Sequence, residues 1–185
     1  MLKHRINSSA QIWLETVIYI LIGLALIGLV LGFITPKINE KKDRLVVEQT
    51  LIALNVLDSK VKEVIESGQF NKRVVEFKMQ RGNLFISPER NEILFVLDGL
   101  SKPYSEPNVD IPLGRVILRT TEGKKTSSVS LTLQYGEGTD ITFDGAQEEK
   151  KVTPSGAPYK FAFENKGQVD NGGNKAYQVD ITRLS

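Results

Sequence analysis

The sequence has 185 residues, 41% of them hydrophobic, with a formal net charge of +2 and no cysteine. These values exclude disulfides and thiolate metal sites, and a single histidine, His4, excludes sites built from paired histidines. A charge this close to zero, with no basic face, gives no indication of nucleic-acid binding. No phosphate-binding glycine loop or nucleophile elbow is present, so we expect neither an enzyme nor a bound cofactor.

The first predicted element is an uncharged apolar run of 20 residues at positions 16–35. As a helix it would be about 30 Å long, the thickness of a bilayer core. A wholly buried core helix is disfavoured because the rest of the chain is too small to cover all its sides. A cleaved secretory signal is disfavoured because the run is long and lacks a small-residue cleavage site at its end. We therefore expect a single-pass membrane helix that stays attached.

Two glycines on this helix are candidates for helix packing. Gly28 and Gly32 stand four residues apart and so share one helical face. Small residues at this spacing let two membrane helices approach closely, although glycine is also common in membrane helices that make no such contact.

One carboxylate, Glu15, lies between apolar residues just before the run. An acid in this layer costs free energy, about 2–3 kcal/mol if it reaches the centre. It either points to water at headgroup level or binds a cation from another chain. Cleavage between Ala10 and Gln11 would create a protonated α-amino group, which is a natural partner for Glu15 of a neighbouring subunit.

This arrangement resembles the class III signal peptide of type IV pilins, and most closely that of archaeal pilin-like proteins. Gln11 and Glu15 would be the first and fifth residues of the mature chain, as in that family, and Ala10 is the small residue expected before the cut. The sequence departs at Ser9, where a charge is common, and at Trp13, where one archaeal pattern has serine. The resemblance implies a leader at 1–10, removed by a prepilin-type peptidase. It also implies self-association through the 11–35 helix, handling by pilus assembly machinery and an extracellular head.

The charges that flank the apolar run favour the opposite orientation. Lys3 and Arg5 precede the run, whereas four basic residues follow it: Lys37, Lys41, Lys42 and Arg44. Counted alone, they place the C-terminal side in the cytoplasm. We follow the leader pattern, which places the head outside the cell.

Residues 36–69 are predicted to form an amphipathic stalk helix. It either starts at Pro36, with Thr35 as its cap, or continues the membrane helix through a kink at Pro36. Gly68 suits its C-terminal cap. The apolar face comprises Val47, Leu51, Leu54, Leu57, Val61, Val64 and Ile65, and the charged side comprises Asp43, Glu48, Asp58, Lys62 and Glu66. The apolar face is expected to pack on the following domain rather than on a second copy.

From residue 70 the hydrophobic period changes from 3.6 to 2, which predicts about eight short strands. The expected fold class is therefore α+β, with an antiparallel β-sandwich-like head at 70–185. Segments 101–112 and 165–175 are predicted to be exposed connections, the second because it is too polar to pack. The acidic residues Asp140, Asp144, Glu148 and Glu149 do not match a calcium-loop spacing, so no metal site is expected.

Two functions fit this layout. The first is a structural subunit, major or minor, of a type IV pilus-like surface filament assembled through the N-terminal helix. The second is a membrane-anchored β-sandwich that binds a ligand or partner without polymerising.

Overall fold

The computed structural model describes residues 8–171 and 173–184, and for residues 8–11 and 171 it describes the backbone alone. Within these ranges the chain forms one α-helix followed by ten β-strands, an α+β layout. It divides into two compact units, Met1–Lys41 and Lys42–Ser185.

The helix, α1, is continuous over Ser8–Glu66. Pro36 lies inside it, so the interpretation of one long helix holds and no new helix starts there. Accordingly, the Thr35 hydroxyl donates to the Leu31 carbonyl (2.7 Å) within the same helix. The predicted stop at Gly68 is confirmed, because Gly68 has a φ of 91° and its amide donates to the Ile65 carbonyl (3.2 Å).

The ten strands form two mostly antiparallel sheets. Their bounds are β1 Lys72–Phe77, β2 Asn83–Ser87, β3 Glu92–Leu100, β4 Asp110–Leu113, β5 Val116–Glu122, β6 Ser127–Gln134, β7 Thr139–Phe143, β8 Lys150–Val152, β9 Tyr159–Asn171 and β10 Asn174–Leu184. One sheet has the order β1-β9-β10-β7 and the other β4-β5-β6-β3-β2-β8. The pairing of β10 with β7 is parallel, which the sequence did not predict.

Segment 165–175 is not the connection that its sequence predicts, although most of its described side chains are exposed as expected. Residues 165–171 form the end of β9 and residues 174–175 the start of β10, the two strands pair as a long hairpin, and Asn165 is buried. Backbone pairing needs no apolar side chains, so a polar segment can extend a hairpin whose base is fixed in a core. Segment 101–109 does lie outside the strands, whereas the residues after it form β4.

The predicted apolar face of the stalk is confirmed. Val47, Leu54, Leu57, Val61 and Val64 are each at most 1% exposed and belong to one hydrophobic cluster with residues of both sheets. Leu51 and Ile65 are partly buried against the same cluster. Residues 42–66 of α1 are therefore a structural part of the unit that contains the sheets.

Candidate functional site

The N-terminal half of α1 carries an extensive apolar surface. Large hydrophobic side chains are exposed from Ile12 to Ile38, on all sides of the helix. In the described part of the chain, α1 is the one helix long and apolar enough to cross a membrane, and its most apolar window is 0% buried. Each such side chain gains about 1.5–3 kcal/mol when it leaves water. The helix is thus a candidate membrane span, and its surface needs a cover of lipid or protein.

Glu15 is exposed on this helix, next to a phenol. The Tyr19 hydroxyl, one turn later, donates a hydrogen bond to Glu15 Oε1 (3.2 Å). A neutral donor satisfies one lone pair of the carboxylate but leaves its charge uncompensated. Glu15 therefore has the chemistry to bind a cation supplied from outside this helix.

Gly28 and Gly32 leave open space on the same helix. A methyl group built at either position would meet no atom within 4 Å. Because the apolar neighbours Leu29 and Leu31 are exposed, the two glycines form a shallow notch in an apolar surface. A notch of this kind admits close approach by another helix.

The predicted cleavage residues Ala10 and Gln11 lie in the first turn of α1. Their side chains and the preceding residues 1–7 lie outside the described part of the chain. Leader removal therefore stays a prediction.

Two carboxylates predicted on the charged side of the stalk are instead buried. Asp43 accepts a hydrogen bond from the Arg81 guanidinium (2.5 Å) and another from the Ser101 amide (3.3 Å). Asp58 lies 2.7 Å from the Lys62 ammonium and 3.4 Å from the Arg115 guanidinium. The prediction is wrong because Arg81 and Arg115 come from the head, and their position opposite the helix cannot be read from the helix alone.

Tyr135 lies beside the second of these pairs. The Arg115 guanidinium stacks 5.4 Å from the centre of its ring, and its hydroxyl is a buried polar atom without a hydrogen-bond partner among the described residues. Burial raises the pKa of the Tyr135 phenol far above its usual value, and Asp58 raises it further, while Arg115 opposes the shift. These groups lie where the helix meets the head, and sequence reasoning missed them because only the fold brings them together.

A groove of about 400 Å³ lies between α1 and the segment that follows β1. Its lining is mixed in polarity and comprises Val46, Gln49, Thr50, Ala53, Lys78, Met79, Gln80 and Arg81. In the described ranges, no group of three histidine, aspartate or glutamate side chains has the geometry to hold a metal ion.

Comparisons with protein-family models, curated proteins and solved structures found no match to this chain. We therefore infer function from the helix and the head themselves.

Proposed function

We propose that this chain is a structural subunit of a type IV pilus-like surface filament. In this proposal the membrane holds the subunit by the N-terminal half of α1, a peptidase removes residues 1–10, and the head lies outside the cell. The observation that carries the proposal is a long apolar helix, exposed on all sides, with one carboxylate near its start.

The apolar half of α1 needs a cover once it leaves the membrane. A subunit that leaves the bilayer exposes its apolar side chains to water unless other apolar surfaces replace the lipid. Packing the helices of many subunits together supplies that surface. The notch at Gly28 and Gly32 lets neighbouring helices come close, where van der Waals contacts add up.

Glu15 needs a cation once helices pack together. In a bundle of such helices Glu15 would be surrounded by apolar side chains, where an unpaired carboxylate is costly. The α-amino group freed at Gln11 by cleavage supplies the missing cation. Pairing between one subunit's amine and the next subunit's Glu15 would fix their axial offset and make assembly depend on cleavage.

The head completes the proposal. We interpret its two sheets, which share one hydrophobic cluster with the stalk, as a sandwich-like domain displayed on the filament surface. The groove beside α1 favours the second candidate function, a membrane-anchored binding module that does not polymerise.

The experiment compares the wild-type chain with Glu15→Ala in cells that make the filament. We expect the membrane-extracted wild-type chain to have lost residues 1–10 by intact-mass measurement. Glu15→Ala should enter the membrane at the wild-type level yet give no filaments in negative-stain micrographs. Glu66→Ala, which removes an exposed acid at the other end of α1, is the matched control and should leave the filaments unchanged.

Two outcomes contradict the proposal. Filaments at the wild-type level in Glu15→Ala would remove the role given to that carboxylate. A full-length mass for the membrane-extracted chain would favour the binding module instead.

A further inference from the structure

In the described part of the chain the two sheets end in four edge strands, and three of these edges are protected against further pairing. β4 contains Pro112, which has no amide hydrogen to donate. β8 is only three residues long, two of them lysines. β7 is capped by one side chain: the Ile141 amide donates to Asn91 Oδ1 (3.0 Å), and Asn91 Nδ2 donates to the Thr139 carbonyl.

The fourth edge, β1, is open. Among the described residues β1 pairs with β9 alone. The Asn165 amide donates to the Asn71 carbonyl (3.0 Å), and antiparallel strands alternate the direction of their hydrogen-bonding groups. The backbone groups of Lys72, Val74 and Glu76 consequently point away from the sheet.

One side-chain contact agrees with this assignment. The Lys72 carbonyl accepts a hydrogen bond from the guanidinium of Arg73 (3.0 Å), so it does not face β9. A carbonyl has two lone pairs, and the arginine is long and flexible, so this contact leaves room for a further strand.

The residues of this edge complement a second copy of themselves. If two β1 strands pair antiparallel about Val74, each Lys72 lies opposite the second copy's Glu76, and the two Val74 side chains meet. The same charge pattern already joins β1 to β9, where Lys72 lies 3.8 Å from Glu164 and Glu76 lies 3.6 Å from Lys160.

The side chains beside this edge are apolar and exposed. Val74 is 53% exposed and Phe70 is 70% exposed. Phe70 lies two residues before the strand and outside this register, because its φ of 65° interrupts the extended backbone.

We propose that β1 is a homodimer strand, through which two copies join their four-stranded sheets into one of eight strands. The occupant is a second copy because the edge offers both charges of each pair in the register that a two-fold axis requires. This contact is separate from the helix packing proposed above, and it would connect heads whether or not a filament forms.

The absence of cysteine in the natural sequence makes the contact directly measurable. In the full-length, detergent-solubilised chain, Val74→Cys places two thiols opposite each other across the axis. Hydrogen-bonded antiparallel pairs have Cα atoms about 5.5 Å apart, within the range of disulfides. We expect oxidation to give a covalent dimer at least about tenfold faster than in Val109→Cys, a matched exposed valine of the head.

A mixing experiment tests the register. Lys72→Cys and Glu76→Cys chains should cross-link to each other when mixed, and neither should cross-link efficiently alone. In the Val74→Cys background, Lys72→Glu and Glu76→Lys should each slow the reaction, and mixing these two chains should restore it. Circular dichroism checks that each variant keeps the wild-type fold.

Three results would overturn the proposal. If Val74→Cys reacts no faster than Val109→Cys, the two β1 strands are not in contact. Lys72→Cys could dimerise readily with itself, which excludes this register. Val74→Cys in membranes could cross-link to a different protein rather than to its own copy, which excludes a second copy as the occupant.

Discussion

At the scale of single residues, two tyrosines place their hydroxyls in opposite situations. The buried Tyr135 hydroxyl has no partner among the described residues, whereas the Tyr159 hydroxyl donates to the Thr153 carbonyl (2.7 Å). Removing an unpaired buried polar group is neutral or favourable, whereas removing a hydrogen bond costs about 0.5–1.5 kcal/mol. We therefore expect Tyr135→Phe to leave the free energy of unfolding unchanged or raise it by about 1 kcal/mol, and Tyr159→Phe to lower it.

Urea unfolding of the detergent-solubilised chain, followed by far-UV circular dichroism, measures both variants. Tryptophan fluorescence is unsuitable, because Trp13 is the one tryptophan and lies in the apolar part of α1. A clear loss of stability in Tyr135→Phe, equal to that in Tyr159→Phe, would contradict this account of the buried hydroxyl.

The same pair of variants has an expected pH dependence. Burial raises the pKa of Tyr135 in the folded chain, while an unfolded tyrosine titrates near 10. Above pH 10 the unfolded chain therefore releases a proton that the folded chain retains, and stability falls as the pH rises. Tyr135→Phe removes this contribution, so its advantage over the wild-type chain should grow from pH 10 upward.

Some of these single-residue features are predictable from the sequence and others are not. The buried apolar residues of the stalk, such as Leu54 and Val61, are predictable because helical periodicity alone identifies their face. The burial of Asp43 and Asp58 is not predictable, because it depends on Arg81 and Arg115, which lie far along the chain. The ion pair of Asp58 with Lys62 lies within the helix and does not by itself indicate burial. A charged residue in a helical pattern therefore predicts solvent exposure only where no partner of opposite charge from elsewhere in the chain lies against it.

At the scale of elements, Asn165 connects the end of α1 to the β9–β10 hairpin. Its Nδ2 donates to the Val64 carbonyl (3.2 Å), and its Oδ1 accepts from the Gly167 amide (2.8 Å). The Val64 carbonyl lies in the last turn of the helix, where carbonyls lack helical partners. We expect Asn165→Ala to cost about 2–4 kcal/mol, because both groups lose their partner in a buried site.

Asn174→Ala is the matched control, since this amide makes one exposed contact, to Glu137 (3.3 Å), and its loss should change stability by less than about 0.5 kcal/mol. Urea unfolding compares the two variants. Equal effects would show that the link between hairpin and helix does not stabilise the fold.

The hairpin also shows which elements sequence could not predict. The run of asparagine, glycine and lysine at 165–175 has a composition typical of loops, so local preference gave the wrong answer. Its strand structure depends on pairing between β9 and β10 and on the buried Asn165, both of which are tertiary. The parallel pairing of β7 with β10 is also tertiary, because no local sequence pattern indicates which strand β7 pairs with.

At the scale of the whole molecule, α1 contributes residues to both compact units, and its two parts have different surfaces. Its N-terminal half exposes apolar side chains on all sides, while residues 42–66 belong to the unit that contains both sheets. Five of their side chains, Val47, Leu54, Leu57, Val61 and Val64, are fully buried there. At about 1.5–3 kcal/mol each, their burial contributes an amount similar to the whole stability of a typical domain, about 5–15 kcal/mol.

Because these side chains contribute so much stability, we expect two truncated chains to fold differently. Residues 42–185 should fold as a soluble domain with the far-UV signal of a helix and sheets, because the exposed apolar side chains of the N-terminal half are gone. Residues 67–185 should aggregate or stay unfolded, because the core loses the helix that covers it. Adding a peptide of residues 42–66 should restore folding to the shorter chain. If 67–185 folds cooperatively without that peptide, the stalk is not part of the core.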